Sequence, residues 1–78
     1  MKIMLFKDKG CNNCKLQEKI LIDAEIIYDS YDVSEYSQLA SLYNVSSLPT
    51  IIFVNELFPD EYETLKGLRP ISTIRKYL

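Results

Sequence analysis

Lys7-Asp8-Lys9-Gly10-Cys11-Asn12-Asn13-Cys14-Lys15 is the stretch that decides how the rest of the chain is read. Immediately before it, Ile3 to Phe6 is a continuous apolar run bounded by charges, the pattern of a strand buried on both faces. Lys7 to Gly10 is polar and ends in glycine, a turn. From Cys11 the pattern is helical, with Leu16, Ile20 and Leu21 on one face and Gln17, Glu18 and Lys19 toward water. The two cysteines therefore stand at a strand-turn-helix junction, both on the first turn of the helix and close enough to form a disulfide. The first sulfur lies at the positive end of the helix, beside backbone N–H groups that have no partner within it. Such donors favour thiolate over thiol and so raise the population of the attacking species. Lys7, Lys9 and Lys15 surround the motif in a chain that is acidic overall and are expected to add to that effect, Lys9 and Lys15 most directly. The spacing implies a sequence of exchanges in which Cys11 attacks a disulfide, a mixed disulfide forms, and Cys14 resolves it by attacking Cys11.

Further along, Asp23 ends the helical run and Glu25 to Tyr28 reads as a second short strand. Asp32 is placed to cap a second helix, with Glu35 three residues later as in a capping box. Tyr36, Leu39, Ala40 and Tyr43 form its apolar stripe, and Asn44 suits a left-handed exit. Leu48-Pro49-Thr50 leads into the apolar strand Ile51 to Val54, and Asn55 to Asp60 is a turn region. Glu61 to Lys66 alternates as an edge strand and Gly67 ends it. Pro70 opens a final helix with Ile71, Ile74 and Leu78 on one stripe. The order β-α-β-α-β-β-α predicts an α/β fold over residues 1–78 as a single domain. Its sheet is mixed and four-stranded, with a parallel first pair, an antiparallel last pair and helices on both faces.

Composition narrows the chemistry. At 78 residues, 47% apolar and 26% charged, with 2 Gly and 3 Pro, the chain is that of one small folded domain. A formal charge of −2 gives no electrostatic footprint for nucleic acid or anionic lipid. The absence of histidine removes every His-based nucleophile and metal site. The opening Met1 to Phe6 is too short for a signal peptide and Ile51 to Val54 too short for a membrane span, so the expectation is a cytoplasmic protein. A tetrahedral zinc site would need two chains to share it, because only carboxylates remain as further ligands. Neither metal nor organic cofactor is expected.

On these residues the chain resembles the thioredoxin-fold redoxins, close to the smallest glutaredoxin-like and mini-thioredoxin members. The strand-turn-CxxC-helix opening with Lys15 after the second cysteine, Val45-Ser46-Ser47-Leu48-Pro49-Thr50, the strand Ile51 to Val54 with its hairpin partner, and Gly67 before the last helix carry the resemblance. It implies a cis Leu48–Pro49 bond lying against the cysteines, with Pro49 shaping the substrate edge. It also implies that the backbone of Leu48 pairs with a substrate chain like an added strand, and that Gly67 with Leu68 forms the far wall of the groove. The implied activity is a thiol-disulfide oxidoreductase reducing protein disulfides as a monomer, with Cys11 as nucleophile and Cys14 as resolving thiol. The chain departs from the family pattern in four places. Gly10 stands where thioredoxins usually have Trp, and Asn12-Asn13 fills the dipeptide. Leu5 occupies the position of the family's buried Asp. Gly67-Leu68-Arg69-Pro70 replaces the Gly-Gly-Asp-like segment through which glutaredoxins hold glutathione. Thioredoxin reductase is therefore favoured over glutathione as electron source. The alternatives are a non-catalytic binding module on the same fold, its CxxC a structural disulfide, and an intermolecular zinc clip.

Overall fold

In the computed structural model, which describes residues 1–78, the elements are β1 (Lys2–Lys7), α1 (Asn12–Asp23), β2 (Asp29–Asp32), α2 (Ser37–Leu42), β3 (Thr50–Val54), β4 (Tyr62–Lys66) and α3 (Ile71–Ile74). A 3-10 turn, Arg75–Tyr77, continues α3. The four strands lie in the order β2-β1-β3-β4. β1 is parallel to β2 and antiparallel to β3, and β3 is antiparallel to β4. The inner pair, β1 and β3, is apolar from Ile3 to Phe6 and from Ile51 to Val54 because side chains on both faces are covered. Ile3, Leu5, Ile51, Phe53 and Leu65 point to one face, where Leu21 of α1 and Ile74 of α3 close a first core. Met4, Phe6, Ile52 and Val54 point to the other, under Ala40 of α2. The strand period of two thus sends alternate residues of the same apolar runs into two separate cores. No helix is long and apolar enough to cross a membrane.

Several expectations from the sequence are corrected. Glu25 to Tyr28 is not a strand; the second strand is Asp29–Asp32. The reason lies in how α1 stops. The Glu25 N–H donates to the Ile22 carbonyl at 2.9 Å and the Ile26 N–H to the Leu21 carbonyl at 3.0 Å, with Glu25 at a φ of 58°. This is a Schellman closure built on a non-glycine residue, and it uses Glu25 and Ile26 to leave the helix. Ile26 and Tyr28 then pack on the first core while Ile27 is 92% exposed. The apolar alternation is real but belongs to a connecting segment. The polar residues after it can form a strand because β2 is outermost and needs only one partner.

Asp32 does not cap α2. It is still the last residue of β2, and its carboxylate accepts from the Ser34 N–H and hydroxyl, which keeps it below the usual carboxylate range. The helix starts after Tyr36 without a side-chain cap, and Tyr36 is largely exposed rather than core. Asn44 does take the left-handed exit, at a φ of 55°. Pro70 flanks α3 as its N-cap instead of opening it, and Leu78 is exposed while Tyr77 stacks on Phe53.

Candidate functional site

Strand register brings the predicted residues to one end of the sheet. Phe6 pairs with Thr50 and Thr50 with Lys66, while Lys7 pairs with Asp32. The segment leaving β1 toward Cys11, the one entering β3 through Leu48 and Pro49, and the one leaving β4 through Gly67 therefore share an edge.

Cys11 is the N-cap of α1, with extended backbone at φ −95° and ψ 102°. Its Sγ accepts the N–H of Cys14 at 3.1 Å, the bond a serine or threonine hydroxyl usually accepts at this position. The two residues form a disulfide with a Cα–Cα separation of 5.2 Å. Their surroundings differ. Cys14 is buried, on the stripe that α1 turns to the core, whereas Cys11 is half-exposed. Once the pair is reduced, the Cys14 N–H and the positive end of α1 face a Cys11 thiolate that solvent can reach. Cys11 Sγ is therefore the sulfur of the pair that solvent reaches, and Cys14 lies behind it.

Lys9 and Lys15 line a cleft of about 300 Å³ together with Cys14, Lys7, Asp8, Glu18 and Asp32. The charge of Lys7 is already compensated, since its ammonium sits 2.9 Å from Glu18. Glu18 also accepts the Tyr28 hydroxyl at 2.6 Å. Burial pushes the Glu18 carboxyl up, but the Tyr28 and Lys7 donors outweigh it and hold the group below its ordinary value. Burial and the adjacent carboxylate push the Tyr28 phenol well above its own. A carboxyl with a depressed folded-state pKa stabilises the fold above its unfolded pKa, and that contribution disappears as pH falls through the folded value. Glu18→Gln is accordingly expected to cost about 1 kcal/mol at pH 7. That difference from wild type should shrink as pH falls below the ordinary glutamate range and the carboxyl takes up its proton. Thermal melts of the two proteins at pH 7 and pH 3 check this, and a pH-independent gap would contradict it.

Pro49 is buried and the Leu48–Pro49 bond is cis, the geometry the resemblance implies. Leu48 is half-buried against the second core. Gly67 has a φ of 81°, a conformation that glycine adopts without strain, and its N–H donates to the Pro49 carbonyl at 2.8 Å. Leu68 follows, partly exposed. A concavity of about 620 Å³ between α2 and the segment before Pro49 includes Leu48 but neither cysteine. It therefore lies to the side of the sulfur chemistry.

One residue that the sequence placed in water belongs to this site. Gln17 is 0% exposed, and Leu16, placed in the core, is 50% exposed. The buried stripe of α1 is Cys14, Gln17 and Leu21, one position round from the stripe that the apolar residues mark. The available signal was Cys14 itself: a cysteine facing the interior puts the residues three and seven positions later on the same side. Glu18 and Tyr28 had no signal in the sequence, because they meet through α1 and the segment after it.

Neither a protein-family model nor a curated protein matches the chain in sequence. Solved structures do resemble it. The thioredoxin-like protein BC3987 superposes with a TM-score of 0.72 at 22% identity, over 99% of this chain and 100% of that one. Thioredoxin 1 from the thermophilic eubacterium Thermosipho africanus TCF52B does so with a TM-score of 0.71 at 25% identity, over 99% and 89%. A single-substitution mutant of thioredoxin from Halobacterium salinarum NRC-1 gives 0.78 at 25% identity, over 95% of this chain and 67% of that one. The chain has the thioredoxin fold, with a CxxC disulfide at the N-terminus of its first helix.

Proposed function

We propose that the protein is a thiol-disulfide oxidoreductase that reduces protein disulfides through the Cys11–Cys14 dithiol. The observation that carries this reading is the asymmetry of the pair: an accessible Cys11 whose sulfur caps α1, backed by a buried Cys14 whose own N–H points at it. The thioredoxins among the similar structures support it. The reduced Cys11 thiolate attacks one sulfur of a substrate disulfide; the Cys11–substrate bond forms, the substrate bond breaks, and the departing thiolate takes a proton. Cys14 loses its proton and attacks the Cys11 sulfur, which closes Cys11–Cys14 and releases the second substrate thiol. Two electrons and two protons have moved to the substrate, and an external reductant resets the pair. Lys9 and Lys15 favour the ionised sulfur. Pro49, Leu48, Gly67 and Leu68 receive the polypeptide around the substrate disulfide. On this reading the protein works in the cytoplasm as a monomer recharged by thioredoxin reductase rather than glutathione. Lys15 and Thr50 are thioredoxin-like, and the glutathione-binding segment is replaced by Gly67-Leu68-Arg69-Pro70.

The test is reduction of insulin disulfides driven by dithiothreitol. Wild type is expected to accelerate precipitation of the insulin B chain clearly, with Cys11→Ser at the background rate. Equal, background rates for both proteins would replace this reading with a docking module whose disulfide is structural.

A further inference from the structure

Gln17 lies three residues beyond Cys14 on the buried stripe of α1, and its amide is wholly committed to one residue outside the helix. Its Oε1 accepts the Arg69 N–H at 2.8 Å and its Nε2 donates to the Arg69 carbonyl at 3.2 Å. A side chain here supplies both bonds that a neighbouring strand residue would exchange with Arg69. A buried amide is tolerated only when its polar atoms are paired, and this one is paired by a single backbone residue. The same segment is tied twice more: the Arg69 Nε donates to the Lys66 carbonyl at 2.8 Å and the Gly67 N–H to the Pro49 carbonyl at 2.8 Å. Residues 67 and 69 are thereby fixed to β4, to the entry of β3, and to the helix that carries the cysteines. Between them, Leu68 is the residue whose N–H and carbonyl make no hydrogen bond within the chain. The N–H and carbonyl of Leu48 make none either.

We propose that Gln17 is a positioning residue that holds the 67–69 wall in place, and that this wall gives the site a preference for polypeptide disulfides over small-molecule disulfides. The inference rests on the oxidoreductase reading above. An extended chain flanking a substrate disulfide has backbone groups to pair with the free groups of Leu48 and Leu68; a small disulfide has none. With Gln17 in place the wall is ordered before substrate arrives. Without it, ordering draws on binding free energy, which weakens association and leaves the sulfur chemistry unchanged.

The test uses Gln17→Met, which keeps side-chain length and removes both bonds, and Gln17→Glu, which keeps the acceptor for the Arg69 N–H and loses the donor. Each is compared with wild type on insulin over a range of concentrations and on 5,5′-dithiobis(2-nitrobenzoate). Gln17→Met is expected to raise the insulin KM by about 5- to 10-fold. Its kcat and its rate on the small disulfide should stay within about twofold of wild type. Gln17→Glu, whose second oxygen faces the Arg69 carbonyl with no proton to donate, should raise the insulin KM at least as much, and hydrogen exchange at the Arg69 amide should accelerate in both variants. An insulin KM unchanged in Gln17→Met, or a parallel loss on both substrates, overturns the inference. If circular dichroism finds Gln17→Met unfolded, Gln17→Glu decides, and a wild-type insulin KM there overturns it. A wild type inactive on both substrates would instead bring down the oxidoreductase reading, and this inference with it.

Discussion

A Cys14→Ser variant is expected to remain covalently attached to its protein substrate, while Cys11→Ser forms no adduct. The difference follows from where the two sulfurs sit. Cys11 is half-exposed and is the atom a substrate disulfide can meet; Cys14 is buried and is set to meet Cys11 alone. Removing the Cys14 thiol leaves the first exchange intact and deletes the intramolecular second. Well-oriented intramolecular attack corresponds to effective concentrations of about 10⁵ M or more. With millimolar thiol as the only resolving agent, release should therefore slow by at least about 10³-fold. Mass spectrometry of the variant after incubation with insulin, without reductant, should show one insulin molecule added to the protein and lost on reduction. Adducts on Cys11→Ser, or none on Cys14→Ser, would reverse the assignment of nucleophile and resolving thiol.

The second large effect is on stability. Phe6 is fully buried in the second core, stacked on Tyr31 with centroids 5.5 Å apart and tilted against Tyr43 at 6.4 Å. α2 covers this face with one short helix and a single buried residue, Ala40, so little can collapse into a gap left beneath it. Phe6→Ala is expected to cost about 3–5 kcal/mol. A domain of this size holds only about 4–12 kcal/mol in total, so the melting temperature should fall by roughly 15–30 °C. Leu57→Ala, at a side chain 85% exposed in the turn between β3 and β4, should stay within about 0.5 kcal/mol of wild type. Thermal melts of the two variants check both magnitudes. A Phe6→Ala protein melting within a few degrees of wild type would mean that the second core contributes little.

The parts of this molecule legible in the sequence are those whose physics is local. The Cys11–Cys14 spacing, the apolar runs of β1 and β3, the left-handed Asn44 and the glycine at 67 each announce themselves within a few residues, and together they point to the thioredoxin-like architecture. What the sequence hides is what depends on contacts between distant segments. Gln17 looks like a solvent-facing residue until Arg69, fifty-two positions away, supplies both partners for its amide. The displaced β2 has a different cause. Glu25 to Tyr28 has the alternation of a strand, but the closure of α1 consumes its first residues, and a polar tetrapeptide takes the place beside β1 because only one of its edges needs a partner. Asp32 departs from its expected role for a related reason: a carboxylate two residues from a serine has a nearer use than a helix that begins only at Ser37.

The outer strands bear on how this protein lives among other chains. β2 is bracketed by Asp29 and Asp32, and β4 carries Glu63 and Lys66. Open sheet edges invite foreign strands, and charge along them is a deterrent to such pairing. On the reading proposed here, the molecule must accept extended polypeptides beside its sulfurs for its working life, many of them partly unfolded and prone to stick. Guarded flanks leave the neutral backbone of Leu48 and Leu68 as the preferred berth. A client that docks there is held next to Cys11 and departs when exchange is complete, instead of seeding a growing stack along the sheet.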